Sequence, residues 1–205
     1  MAMNSSSPAR TEWIWIRHAA VQGQESRYYG RLDVAPEPVD PALAAAIARR
    51  LPAVAVWLSS PLTRTRVTAL AFKADADPIP VGDFNDQNYG LWQGRSFNDV
   101  FAANRTLDWA KPAEILPPEG ESFVDVATRV FDGIERLTAH YAGHTIVSVA
   151  HANVVRAAIA HALGIDLATA LRIEIAPLSI TRLGCRVVNG AAQWSVGCIN
   201  LELAG

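Results

Sequence analysis

Three short stretches of this 205-residue chain carry groups that can bind and attack an anion: Arg17-His18, Ser60 with Arg64, and His151. Arginine offers a planar fork of donors that fits phosphate oxygens two at a time. A histidine nitrogen is a nucleophile that can split a hydrolysis into two easier steps. No metal ligand stands at a useful spacing to these residues, so the two arginines and two histidines suit a phosphate. Phosphoryl transfer asks mainly for positioning and for neutralisation of charge on the equatorial oxygens.

Each cluster follows an apolar run that reads as a strand. Trp13-Ile14-Trp15-Ile16 places four large β-branched or aromatic residues in a row. Such a run suits a central strand covered on both faces, and it ends in Arg17-His18-Ala19. Ala53–Leu58 is a second such run and ends in Ser59-Ser60-Pro61-Leu62-Thr63-Arg64. His144–Ala150 is a third and ends in His151. Between the first two, Asp40-Pro41 opens a helix, with Asp as cap and Pro as first residue. Leu43, Ile47 and Leu51 share one face of it, and Pro52 stops it. The order strand, helix, strand predicts parallel pairing. In an open parallel sheet, ligands bind at the carboxyl ends of the strands. The three clusters therefore converge on one edge.

The remaining elements follow from periodicity and breakers. A helix runs on from Arg66 to about Lys73, and Pro78–Val81 reads as a short edge strand. Residues 83–95 are irregular and Ser96–Asn104 is a short helix. Pro112, Pro117, Pro118 and Gly120 forbid regular structure thereafter. The segment from about 83 to 120 reads as an inserted lid over the sheet. Ser122 caps a long helix to about Tyr141, with Phe123, Val126, Val130, Ile134 and Leu137 on its apolar face. Asn153–Leu163 is a helix that Gly164 closes. Two final strands, about 178–187 and 193–199, meet at Asn189-Gly190, a strong hairpin signal. That turn sets Cys185 opposite Trp194 and Cys198 opposite Thr181, a register that argues against a disulfide.

The bulk numbers narrow the partners. With 18 basic and 20 acidic residues the net charge is −2, which gives no global field for nucleic acid or an anionic membrane. No apolar run approaches the ~20 residues that span a bilayer. Residues 1–10 read as a disordered tail without the features of a secretory signal, and residues 11–205 as one domain. The expected location is the cytoplasm, with both cysteines reduced. A monomer and a homodimer are both compatible with the sequence.

Five blocks, in order, resemble the histidine phosphatase (phosphoglycerate mutase-like) superfamily. Arg17-His18-Ala19 resembles its Arg-His-Gly signature. Ser59-Ser60-Pro61-Leu62-Thr63-Arg64-Thr65-Arg66-Val67-Thr68-Ala69 resembles its second block. Phe84-Asn85-Asp86-Gln87-Asn88-Tyr89-Gly90-Leu91-Trp92-Gln93-Gly94 is similar to the block that carries a catalytic Glu. Pro118-Glu119-Gly120-Glu121-Ser122 is similar to the Pro-Gly-Gly-Glu-Ser loop. Val149-Ala150-His151-Ala152-Asn153-Val154-Val155-Arg156 is similar to the block around the second histidine. The resemblance implies a three-layer α/β/α sandwich with a mostly parallel central sheet and an inserted lid.

It also implies roles. His18 is the nucleophile that becomes phosphohistidine. Arg17, Arg64 and His151 hold the phosphoryl oxygens. Asp86 stands where the family has its acid, with Asp83 as the fallback. Arg31 and Ser122 are further candidate contacts for substrate, as are Tyr29 and Glu121. No metal or cofactor is implied. The substrate is a small phosphorylated metabolite and the product inorganic phosphate.

Within the family, the chain resembles the bacterial α-ribazole phosphatase-like branch through its length and the loop Tyr29-Gly30-Arg31-Leu32-Asp33. Two alternatives stand beside hydrolysis: a cofactor-dependent phosphoglycerate mutase, and a non-catalytic phosphate-binding module. Three departures bear on the chemistry. Ala19 replaces a glycine, Ala152-Asn153 replaces Gly-Gly, and Asp86 is one methylene shorter than Glu. Trp92 and Trp109 read as packing residues, and His140, His144 and His161 as residues without a catalytic role.

Overall fold

The structure, a computed structural model, describes residues 9–21, 23 and 26–203. Most of the expected N-terminal tail, residues 1–8, lies outside the described residues. Arg10, expected in that tail, already belongs to the first strand.

Six strands form one sheet: β1 (Arg10–Arg17), β2 (Val56–Ser59), β3 (Ile79–Pro80), β4 (Thr145–Ala150), β5 (Ile180–Val188) and β6 (Ala191–Leu201), in the order β3-β2-β4-β1-β5-β6. The pairs β3/β2, β2/β4 and β4/β1 are parallel, while β5 is antiparallel to both β1 and β6. The helices are α1 (Pro41–Ala48), α2 (Thr63–Phe72), α3 (Phe97–Ala103), α4 (Phe123–His140), α5 (Ala152–Leu163) and a short α6 (Leu167–Ala170). The last was not expected from the sequence; its signal is Asp166, whose carboxylate caps it through the Thr169 N–H and hydroxyl.

The alternation within β1 makes the three layers. Ile14 and Ile16 face one side and pack with Ala44 and Ile47 of α1 and with Ala69 and Phe72 of α2. Trp13 and Trp15 face the other side and pack with the apolar faces of α4 and α5. All four are essentially without solvent exposure, which is why the run contains no polar residue. The two indoles stack at 4.9 Å between centroids, nearly parallel. Phe84, from the segment after β3, sets its ring edge against both. Burial of side chains this large contributes about 1.5–3 kcal/mol each, so the carboxyl end of β1 rests on a rigid support.

Helix α4 carries the expected cap in full form. Ser122 accepts from the Asp125 N–H at 3.2 Å, and the Asp125 carboxylate accepts from the Ser122 N–H at 2.8 Å. The glycine in its middle, Gly133, has a packing reason. A Cβ there would come within 3.0 Å of the Asp83 and Phe84 side chains, so its absence lets the segment after β3 lie directly on the helix.

The final hairpin turns at Asn189 and Gly190, both in the left-handed region, and sets Cys185 opposite Trp194 as expected. Toward the far end the register differs. Cys198 pairs with Arg182 rather than Thr181, because the ladder slips between Leu183 and Arg182 and again before Ile180. Uniform two-residue arithmetic cannot register such a bulge. Neither cysteine forms a disulfide. Among the described residues no helix is long and apolar enough to cross a membrane.

Candidate active site

The parallel register brings the three polar clusters together. Arg17 stands opposite Ala150, and Ser59 opposite Val149. The pairing continues one residue past the strands, where the His18 N–H donates to the Ala150 carbonyl at 3.0 Å and the Ser60 N–H to the Val149 carbonyl at 3.3 Å. His18, Ser60 and His151 thus leave three neighbouring strands at one level, and all three are buried.

The protonation of His18 can be read from its partners. Its Nδ1 lies 2.6 Å from the Ala19 carbonyl oxygen. That oxygen has no hydrogen to give, so Nδ1 carries the proton. Its Nε2 receives the Arg64 Nε–H at 3.3 Å and therefore presents a lone pair. Burial, then the neighbouring His151 and Arg64, hold His18 well below the ordinary imidazole pKa of 6.5. His151 is lowered for the same first reason, then by Arg64, Arg129 and Arg17. His18 is therefore the neutral tautomer a nucleophile needs, with the ring of His151 5.1 Å away.

Arg64, with no exposed surface, ties the site together. Its Nη1 donates to the Leu32 carbonyl at 2.9 Å, and its Nη2 to the Gly30 carbonyl at 2.6 Å and to Asp86 Oδ2 at 2.9 Å. His151 Nδ1 stands 3.3 Å from the same nitrogen. The guanidinium also covers the ring of Tyr29 at 5.0 Å, an arrangement that favours a cation. Gly30 must be glycine for this. Its φ is +44°, and a Cβ would fall 2.5 Å from the Gln87 carbonyl. The Ser60 hydroxyl meets His151 Nε2 at 2.8 Å, so it orients the second histidine.

Asp86 and Asp83 separate cleanly. The Asp86 carboxylate touches Arg64 and lies 3.5 Å from His151 Nδ1. Asp83 turns away to Arg136 of α4 at 2.6 Å. Of these two, Asp86 is the carboxylate in the site, and Glu37 is the other carboxylate on the cavity wall.

His18 and Asp86 open onto a cavity of about 440 Å³, walled also by Arg17, Tyr28, Tyr29 and Arg156 among others, while the buried Arg64 and His151 stand next to His18 without lining it. Arg17 donates to the Ile175 carbonyl at 2.6 Å, while its buried Nε has no hydrogen-bond partner among the described residues. Neither Arg17 nor Arg156 has a carboxylate within 4.0 Å among the described residues. The first turn of α5 adds Ala152 and Asn153 to the wall, and a helix N-terminus favours an anion. Among the described residues no three His, Cys, Asp or Glu gather to hold a metal.

The departures in sequence have local explanations. Ala19 does not adopt a left-handed φ, so a side chain is accommodated, and its N–H is held by the Thr68 hydroxyl at 3.0 Å. Asn153 works as a link. Its Nδ2 donates to Gln87 Oε1 at 2.8 Å and to the Tyr89 hydroxyl at 3.1 Å, and its Oδ1 accepts from Arg156 Nη1 at 2.9 Å.

Arg31 and Ser122 are not brought to the cavity wall. Ser122 is consumed by the cap of α4, including a 2.7 Å bond from its hydroxyl to Asp125. Arg31 reaches Glu121 at 2.9 Å and the Asp86 carbonyl at 3.3 Å, so it touches the backbone of Asp86 from outside. Glu121 in turn binds Arg31 and Arg129. Sequence reasoning missed Tyr89 and Arg156 as cavity residues. Arg156 stood in the last block, four residues after Ala152, which places both on one face of a helix. Trp92 and Trp109 stack on one another at 6.3 Å and line a smaller adjoining cavity of about 190 Å³.

Residues 13–194 match the histidine phosphatase superfamily (branch 1). The chain belongs to that superfamily. A bifunctional protein of Mycobacterium tuberculosis is 32% identical over 181 residues, which cover 83% of this chain and 50% of that protein. The chain thus spans about half the length of the curated relatives that match first. A mycobacterial glucosyl-3-phosphoglycerate phosphatase has the same fold, with a TM-score of 0.81 at 23% identity over 94% of this chain and 100% of that one. So does an Escherichia coli K-12 protein assigned as an alpha-ribazole-5′-phosphate phosphatase, with a TM-score of 0.76 at 20% identity over 95% and 99% of the two chains. The family blocks converge in the fold: His18, Arg64 and His151 meet at the carboxyl edge of the sheet, and His18 opens onto the cavity.

Proposed function

We propose that this histidine phosphatase hydrolyses phosphomonoesters of small metabolites through a phosphohistidine on His18. The observation that carries the reading is the neutral His18, with its Nε2 lone pair beside Arg64 and its Nδ1 proton fixed on a carbonyl. In the first step Nε2 attacks phosphorus and the bond to the ester oxygen breaks. Arg17 and Arg64 hold the phosphoryl oxygens and neutralise their charge, and the neutral His151 holds them by hydrogen bonding alone. Asp86 protonates the leaving oxygen. In the second step water attacks the phosphohistidine, Asp86 takes its proton, and phosphate leaves.

The size of the cavity supports this substrate class. About 440 Å³ admits a phosphoryl group with a modest organic portion. The α-ribazole 5′-phosphate reading is supported by the loop Tyr29–Asp33 and by likeness to the Escherichia coli protein. The segment from 83 to 120 acts as a lid that encloses a small ligand. Its basic residues Arg95, Arg105 and Lys111 do not line the cavity, which favours hydrolysis over mutase chemistry. Two cysteines without a disulfide fit a reducing compartment such as the cytoplasm.

The test is steady-state hydrolysis with EDTA present, using p-nitrophenyl phosphate, α-ribazole 5′-phosphate and an alkyl phosphate. Turnover by the parent, abolished in His18→Ala, supports the reading. A parent that turns over none of the three, or a His18→Ala protein as active as the parent, overturns it.

A further inference from the structure

Beneath the loop that carries Asp86 lies one guanidinium with every hydrogen used. Arg129, from the second turn of α4, donates Nε–H to Glu121 Oε2 at 3.0 Å and one Nη2–H to Glu121 Oε1 at 2.8 Å. The two Nη1 hydrogens go to the carbonyls of Asp83 at 2.7 Å and Asn85 at 2.8 Å. The remaining Nη2–H reaches the carbonyl of Asp86 itself at 3.2 Å. Arginine has five N–H donors in a fixed fork, and here each has an acceptor. Glu121 is held in turn by Arg31 at 2.9 Å and by the Asn88 N–H at 2.7 Å.

The loop is therefore fixed on two sides. Phe84 plugs it onto Trp13 and Trp15, and Arg129 draws three of its carbonyls onto α4. Asp86 then needs no long side chain. Its Oδ1 accepts its neighbour's N–H, from Gln87, at 2.9 Å, which leaves Oδ2 aimed at Arg64. A carboxylate one methylene shorter than Glu thus reaches Arg64 at 2.9 Å from a backbone held in place by Arg129. Where proton donation matters, displacement by about 1 Å can cost about a hundredfold in rate.

We propose that Arg129, seated on Glu121, is the positioning residue that carries the short acid Asp86 into reach of the leaving oxygen. The proposal rests on the phosphatase reading above. Arg129 does not line the cavity, so it acts through Asp86 and not on the substrate.

The test uses the dependence of rate on leaving group. A nitrophenolate departs without a proton, whereas an alkoxide needs one. The readout is the ratio of kcat for an alkyl phosphate to kcat for p-nitrophenyl phosphate. A loss of packing that leaves the Asp86 loop in place lowers both rates and does not move the ratio. Arg129→Gln lowers the ratio by about tenfold or more, and Arg129→Lys, which keeps the charge but loses the fork, lowers it less. Arg31→Met, at an exposed position that supplies the other bond to the Asp86 carbonyl, gives a small fall in the same direction. In an Asp86→Asn background, Arg129→Gln leaves the ratio where Asp86→Asn has put it.

A ratio that none of the folded Arg129 and Arg31 variants moves, or one that Arg129→Gln lowers further in the Asp86→Asn background, overturns the proposal while hydrolysis stands. If Arg129→Gln does not fold, Arg129→Lys and Arg31→Met decide it by the same criterion. A parent that hydrolyses neither ester overturns the phosphatase reading, and this proposal with it.

Discussion

Arg64 Nε lies 3.3 Å from His18 Nε2 and donates to it. An imidazolium at His18 would set a proton against that donor, so the contact and the burial both favour the neutral ring. The pH dependence follows. Protonation of His18 removes the nucleophile, and its lowered pKa moves that loss below 6.5. The acid limb of kcat/KM lies below pH 6.5, and activity persists into mildly acidic solution. Because the leaving oxygen also needs a protonated acid, the full profile is bell-shaped. Initial rates from about pH 4 to about pH 9 check this; a flat profile contradicts the pair of roles.

Stability shifts with the same groups. His18 and His151 are buried neutral in the fold and free to charge when unfolded. The unfolded chain therefore binds more protons below the ordinary imidazole pKa, and stability rises with pH. The contribution is fully present above 6.5 and is lost as pH falls toward the lowered folded values. Denaturant unfolding at about pH 7.5 and about pH 5 gives a larger loss in the parent than in His18→Asn.

Asp86→Asn keeps the shape of the acid and removes its proton. Alkyl phosphate turnover falls by about 10²–10⁴. Turnover of p-nitrophenyl phosphate falls far less, because that leaving group departs unprotonated. Asp83→Asn changes neither by as much, since Asp83 faces Arg136.

Ser122→Ala separates a cap from a substrate contact. Loss of the cap of α4 costs about 0.5–2 kcal/mol, read as a lower Tm, while kcat/KM stays at the parent value. A selective rise in KM instead would return Ser122 to the substrate.

Phe84→Ala joins packing to function. It removes a ring with no exposed surface from beside Trp13 and Trp15 and costs about 3–5 kcal/mol of stability. It also loosens the loop that bears Asp86, so the alkyl-to-aryl kcat ratio falls as well.

What was legible in the sequence had a local cause. The two tryptophans and two isoleucines of β1 declare a strand buried on both faces, and the polar residues after each parallel strand declare the edge where they meet. Ser122 and Gly164 mark helix ends because capping is a matter between near neighbours. What escaped depended on distant partners. Nothing near Arg129 in the chain says that three carbonyls more than forty residues away will converge on it. Arg31 and Ser122 sit in loops typical of ligand contacts, yet Glu121 claims one and Asp125 the other. The slip at Cys198 arises inside the β5/β6 ladder, beyond the reach of turn geometry.

The most direct measurement is to trap the intermediate. The parent is mixed with p-nitrophenyl phosphate, quenched within milliseconds in alkali, where a phosphohistidine survives, then digested and weighed. One phosphoryl group on the peptide containing His18, acid-labile and absent from His18→Ala, is the result this account predicts. Full turnover with no phosphorylated His18 peptide, or the phosphoryl group on another residue, contradicts it.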